Sequence, residues 1–178
     1  PVDDIEKVIQ DEFRQPVENI FSLFDTIPLA AASIAQVHAA TLKTGESVVV
    51  KVQRPGIVET IGEDINVLYQ LAELVEKYVP EARIANPSAI VDEFAKTLSL
   101  ETNFLIEANN MRRIRENFKD DATIVIPKVY TDYLTERVLV MERLQGVPLS
   151  DHKRIDSLGV DREKIVANGL RAFFKMVF

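Results

Sequence analysis

The sequence predicts an α+β chain with a mostly antiparallel sheet. Three observations lead there. Two β-branched segments, near residues 29–53 and 123–144, are each divided by turn punctuation. The stretch between them carries apolar residues at helical spacing, and helical patterns also open and close the chain. Strands grouped with helices inserted between them, rather than alternating with them, mark this class. With 178 residues, 47% of them hydrophobic, the chain can build one good core or two small ones.

From Asp3 to Phe24, the residues Ile5, Val8, Ile9, Phe13, Val17, Ile20, Phe21 and Phe24 recur mostly at steps of three or four, predicting an amphipathic helix that Pro16 breaks or bends. The segment "PLAAASIAQVHAATLKTGESVVVKVQRPG" at 28–56 passes from small residues through near alternation and a "TG" turn to a β-branched run. It reads as a β-hairpin ended by "RPG". Ile61, Ile65, Leu68, Ala72, Val75 and Val79 step by four and three, which predicts a helix over 57–79 stopped by Pro80. "ANPS" at 85–88 supplies a loop and an N-cap for another helix, with Val91, Phe94, Leu98, Leu105, Ala108 and Met111 on one stripe. Glu101 falls on that stripe, where a carboxylate is costly unless it is paired. "TIVIPKVY" and "RVLVMERL" read as two more strands around a "TDYLTE" turn, and "QGVPLSD" as a loop. Asp161–Phe178 closes the chain as a helix with Ile165, Leu170, Phe173, Phe174 and Val177 apolar.

Composition narrows the chemistry. There is no cysteine, so neither a disulfide framework nor a thiolate metal site exists, and the two histidines, His38 and His152, make a zinc site improbable. A net charge of −7 argues against a nucleic-acid surface. Arg112, Arg113 and Arg115 form the one tight basic cluster, read as a solvated helical face. No apolar run reaches the roughly 18 residues needed to cross a bilayer. The chain opens on Pro1 and ends on the apolar "RAFFKMVF", which points to a segment of something longer.

Lys51 stands out. In a strand, Val49, Lys51 and Gln53 share one face, and Val48, Val50 and Val52 share the other. A lysine so placed can simply point to water. The surrounding parts suggest a second role: a small-residue loop before the hairpin, a glutamate-bearing helix after it, and then "VLVMERLQG". A polyphosphate needs close backbone approach, a cation, and a carboxylate to hold that cation still. Ordinary protein kinases meet this need with a glycine-rich loop and a "VAIK"-like strand. Here "VVVK" matches, while "AAAS" stands in place of glycines.

On these residues the sequence resembles the UbiB-like atypical protein kinases, also called the aarF or ADCK group. "PLAAASIAQVHAATLKTGESVVVKVQRPGI" looks like their alanine-rich loop and lysine strand, "LETNFLIEANN" like their Glu-x-Asp region, and "VIPKVYTDYLTERVLVMERLQGVPLSD" like their last N-lobe strands and hinge. The resemblance covers essentially the whole chain. It implies a protein-kinase-like N-lobe with inserted helices over residues 1–145, followed by a hinge and the first helices of a truncated C-lobe over 146–178.

The resemblance also implies site roles. Ala30, Ala31, Ala32 and Ser33 would form the loop over the phosphates, with alanine restricting the backbone freedom that glycine allows. Lys51 would contact the phosphates of ATP or ADP, and Glu107 would pair with it. Met141 would sit at the gatekeeper position, with the backbone of Glu142 to Leu144 meeting adenine. On a straight helix, Glu101 and Glu107 would lie about 120° apart and serve different contacts, Glu101 facing an N-terminal extension. His38 is expected to be a packed, hydrogen-bonded strand histidine rather than a base. Where the family has Glu-x-Asp, this chain has Glu101, Thr102 and Asn103, which puts a charged role at 103 in doubt.

The family's catalytic loop and its magnesium-binding segment would follow residue 178, so no catalytic residue and no metal ligand is expected within the chain. Mg2+ would accompany the nucleotide in the full-length parent. That parent would be an ATPase or atypical kinase supporting ubiquinone or related isoprenoid-quinone biosynthesis, with quinone-biosynthesis proteins or lipid intermediates as partners. A bacterial, cytoplasmic setting near a membrane is expected. Phe173, Phe174 and Val177 are candidates for a self-associating surface. Two rivals stand beside this reading: a non-enzymatic interaction module, in which Lys51 is an ordinary strand residue, and a regulatory pseudokinase that binds without turnover.

Overall fold

The computed structural model describes residues 2–177, with Val177 described by its backbone alone. Helix α1 (Val2–Phe13) and the single turn α2 (Val17–Ile20) lead into strand β1 (Phe21–Phe24). Strands β2 (Ala30–Ala31), β3 (Ala35–Leu42) and β4 (Ser47–Gln53) follow. Next come α3 (Ile57–Tyr78), a 3-10 turn (Pro80–Ala85), α4 (Pro87–Glu101) and α5 (Phe104–Asn117). The chain returns through β5 (Val129–Leu134) and β6 (Val138–Glu142) and finishes on α6 (His152–Ser157) and α7 (Arg162–Val177). The sheet is antiparallel in the order β1-β3-β4-β6-β5, with β2 paired to the outer part of β3. The α+β class with inserted helices is what the sequence predicts.

Alternation along β4 assigns its two faces. Val48, Val50 and Val52 are fully buried beneath α1 and α2, against Ile5, Ile9 and Ile20. Burying each such side chain contributes on the order of 1.5–3 kcal/mol, so this face anchors the sheet. The opposite face holds a smaller cluster in which Phe104 and Ala108 of α5 pack on Leu139 and Val129. A third cluster, around Ile65, Ala72 and Val91, joins α3 to α4 as a helical hairpin outside the sheet.

Four local expectations are corrected. Residues 21–24 are a strand rather than the end of a helix. The apolar spacing fits both, but pairing Phe21 with Leu42 and Phe24 with Ala40 covers the open edge of β3, and tertiary pairing overrides local propensity. The stripe from Val91 to Met111 is not one helix, because Asn103 adopts an extended backbone (φ −103°, ψ 104°) and splits it into α4 and α5. Residues 123–128 are not strand: the Asp121 carboxylate accepts from both the backbone amide and the hydroxyl of Thr123, making a local turn. The β5–β6 reversal falls at Thr135–Val138, with Thr135 Oγ1 accepting from the amides of Arg137 and Val138, so most of "TDYLTE" is strand.

Helix α6 is an addition to the predicted elements, capped by Asp151, whose side chain accepts from the Arg154 amide. Helix α7 docks on the segment after α5: Arg171 Nη2 reaches Thr123 Oγ1 at 2.5 Å and Asp121 Oδ2 at 3.3 Å, and Lys175 Nζ lies 4.7 Å from the centre of the Phe118 ring. Arg112, Arg113 and Arg115 are all exposed and, at about 100° per residue, spread around α5 rather than forming one patch.

Candidate nucleotide site

Register builds the site. Ala30 of β2 pairs with Val37 of β3, Val37 pairs with Lys51 of β4, and Lys51 pairs with Leu139 of β6. Directly opposed residues in an antiparallel ladder project to the same side, so these four form one row on the face covered by α5. The alanine stretch therefore lies two strand spacings, about 10 Å, from the lysine strand. Met141 pairs with Val49 and belongs to the same face, half-buried beside the Phe104 cluster.

Helix α5 brings the carboxylate. Lys51 Nζ donates to Glu107 Oε2 at 2.6 Å and lies 4.8 Å from the centre of the fully buried Phe104 ring, which floors the ammonium. The lysine side chain is 22% exposed and the glutamate 36%, so the pair opens to solvent on one side. That side is a cleft of about 650 Å³, lined by Ile34, Lys51, Thr97, Glu101, Glu107 and Asn110, among others. Both glutamates line it. The break at Thr102–Asn103 turns α5 relative to α4, so the straight-helix separation of Glu101 from Glu107 does not hold, although only Glu107 contacts Lys51.

The loop preceding β3 is tied down. Ala30 and Ala31 are exposed and form β2. Ala32 donates its amide to the Ala35 carbonyl, and its own carbonyl accepts from Arg54 Nε at 2.9 Å. Ser33 is exposed at the tip. At the other end of the cleft face, the Glu142 amide donates to the Lys128 carbonyl while its carboxylate accepts from the Lys128 amide, and the Arg143 amide donates to the Ser47 carbonyl. Leu144 lies beyond the strand and is 41% exposed.

Asn103 stands apart from these. Its side-chain oxygen accepts from the Leu105 amide at 2.9 Å and caps α5, and an aspartate there would accept the same bond. His38 is buried between β3 and the β1–β2 connection, donating Nδ1–H to the Asp25 carbonyl and stacking 5.1 Å from Phe24, as a packed strand histidine does. Sequence reasoning misses Phe104 as the floor beneath Lys51, Arg54 as the tether of the alanine loop, and Gln53, which is buried on the lysine's face. The one available signal is the two-residue spacing of Lys51 and Gln53. Among the described residues, no group of three or more His, Asp or Glu side chains is placed to hold a metal ion. Among them, too, no helix is long and apolar enough to cross a membrane.

Residues 1–178 match the ABC1 atypical kinase-like domain. A protein of Erwinia tasmaniensis named "Probable protein kinase UbiB" is 43% identical over 97% of this chain, and its namesake from Pseudomonas fluorescens is 40% identical over 97%. Among solved structures, Rv3197 of Mycobacterium tuberculosis, determined as a complex with erythromycin, superposes with a TM-score of 0.75 at 27% identity over 86% of this chain and 38% of its own. The chain spans 32% of the length of the two UbiB relatives, both bacterial, in line with the bacterial source expected. The antiparallel sheet with its lysine strand and inserted helices is a protein-kinase-like N-lobe, and the chain belongs to the ABC1 atypical kinase-like domain family.

Proposed function

We propose that this chain is the nucleotide-binding lobe of an atypical kinase or ATPase, with Lys51 binding the phosphates of ATP or ADP. The observation that carries this is the 2.6 Å contact between Lys51 Nζ and Glu107 Oε2 at the mouth of an open cleft. A lysine paired this way keeps its direction while leaving donors free for phosphate oxygens. Ala30 to Ser33 would cover the phosphates from β2, and the backbone of Glu142 to Leu144, beside Met141, would take the adenine. Residues 1–145 would then act as the N-lobe and 146–178 as the hinge and start of the C-lobe.

The Lys51 ammonium and the backbone of the alanine loop would suit a polyphosphate, and among the described residues no group of three or more His, Asp or Glu side chains is placed to hold a metal ion. Mg2+ would enter with the nucleotide, and no step is assigned to it in this chain. For the longer protein, relatives named UbiB support a part in isoprenoid-quinone biosynthesis, and a setting beside a membrane that holds lipid intermediates would go with that role. The exposed Phe173 and Phe174 are candidates for self-association, whereas the side chain of Val177 lies outside the described residues.

Calorimetry with Mg-ATP and Mg-ADP tests the reading, on this chain and on one extended to the length of its relatives, each beside Lys51→Ala. Binding by the extended wild type that Lys51→Ala abolishes is the expected result. Equal affinity in the variant, or no binding by either folded chain, would overturn it and favour an interaction module. The pseudokinase reading drew its support from Asn103, and binding of Mg-ATP by the extended chain without hydrolysis would favour it.

A further inference from the structure

Gln53 and His38 are the two polar side chains buried among the described residues, and Gln53 is 2% exposed. It follows Lys51 by two positions on β4 and so shares its face. Its Nε2 donates to the Thr102 carbonyl at 2.8 Å. Thr102 is where α4 ends, and α5, with Glu107 in its first turn, begins two residues later.

Strand β4 thus grips α5 twice: Lys51 holds Glu107, and Gln53 holds the elbow from which the helix departs. On the other side of the elbow, the Phe104 amide donates to the Glu136 carbonyl of the β5–β6 turn at 3.0 Å. A single tie would let the helix pivot, whereas ties to β4 and to the β5–β6 turn set its direction. The lever is short but sufficient. Glu107 lies three residues, about 4.5 Å of helix, beyond Phe104, so a tilt of about 15° at the elbow moves it by about 1 Å, enough to break a charge-assisted hydrogen bond.

We propose that Gln53 is a positioning residue that sets the direction of α5 and so holds Glu107 on Lys51. Its consequence for nucleotide binding rests on the reading above, but the positional claim does not. If Gln53 only satisfied a buried carbonyl, losing it would lower stability without changing the state of Lys51.

The test is amine labelling with acetic anhydride at neutral pH, read at each lysine by mass spectrometry, with the exposed Lys96 as internal reference. Glu107→Gln removes the partner and sets the rate of a released Lys51. Gln53→Met, which keeps the size and lacks the donor, is expected to speed Lys51 labelling about fivefold, a change of the order produced by losing one buried hydrogen bond. Gln53→Glu, which turns a carboxylate toward the Thr102 carbonyl, should do the same and covers the case in which Gln53→Met fails to fold. Ile9→Ala loosens the core on the opposite face and should leave the Lys51 rate unchanged. Lys51 rates in the Gln53 variants equal to wild type, or an equal rise in Ile9→Ala, would overturn the proposal. Labelling needs no nucleotide, so failure to bind ATP would sink the nucleotide reading without touching this result. Where Mg-ATP does bind, Gln53→Met should weaken it in the wild-type background and have no further effect in Glu107→Gln.

Discussion

Lys51 Nζ stands 2.6 Å from Glu107 Oε2, and neither side chain is buried. An ion pair open to solvent contributes about 0–1 kcal/mol to stability, so the pair is not what holds α5 to the sheet. Phe104 and Ala108 do that, being fully buried against Leu139. Lys51→Ala should therefore shift the free energy of urea unfolding by no more than about 1 kcal/mol while removing nucleotide affinity. A loss of several kcal/mol would mean that the lysine is a structural residue.

Phe104 supplies the opposite case. Its ring is fully buried and also floors the Lys51 ammonium. Phe104→Ala should cost about 3–5 kcal/mol in urea unfolding, because the cavity adds to the lost transfer energy. Phe104→Leu should cost less and leave the Lys51–Glu107 pair formed, which the Nζ resonance of labelled lysine would report.

Asn103 ends the run Glu101-Thr102-Asn103 and caps α5 there. Its oxygen caps α5 by accepting from the Leu105 amide at 2.9 Å, and aspartate caps about as well as asparagine while adding a negative charge at the helix N-terminus. Asn103→Asp should be neutral or slightly stabilising, and Asn103→Ala should lose about 1 kcal/mol by urea unfolding. Equal stability of all three would show that the cap is not formed in solution.

These residues also show which parts of the molecule a sequence discloses. The lysine strand was legible because a period of two assigns Val48, Val50 and Val52 to one face whatever packs on it, and α3 because its stripe meets one continuous partner, α4. Residues 21–24 were not legible, since Phe21 and Phe24 satisfy a helix and an edge strand equally, and only the open edge of β3 decides between them. The elbow at Asn103 was hidden because the apolar stripe resumes on its far side as though nothing had intervened. Gln53 was hidden for a related reason. A polar residue at a strand end reads as solvated until the Thr102 carbonyl, 49 residues later, is brought beside it. The Lys51–Glu107 pairing was expected from family resemblance, whereas spacing alone left the lysine free to face water.

The docking of α7 has a pH signature. The Asp121 carboxyl is held below its ordinary value of 3.8, first by hydrogen bonds from the hydroxyl and amide of Thr123 and then by the positive charges of Arg171 and Lys175 on α7. A depressed folded-state value means that the contribution is present in full above the ordinary carboxylate range and is lost as pH falls through the lower, folded value. Hydrogen-exchange protection of α7 should accordingly weaken on acidification below about pH 4, ahead of the sheet, which contains no carboxylate in its buried clusters. Titration of the Asp121 carboxyl carbon by NMR separates the causes. Thr123→Val should raise the midpoint more than Arg171→Met, because the hydrogen bonds to Thr123 outweigh the guanidinium. The reverse order would mean that the ion pair to α7, rather than the local turn, sets the acidity of Asp121. In that case the loss of α7 protection on acidification would be larger, because the whole depression of the Asp121 carboxyl would come from contacts with α7.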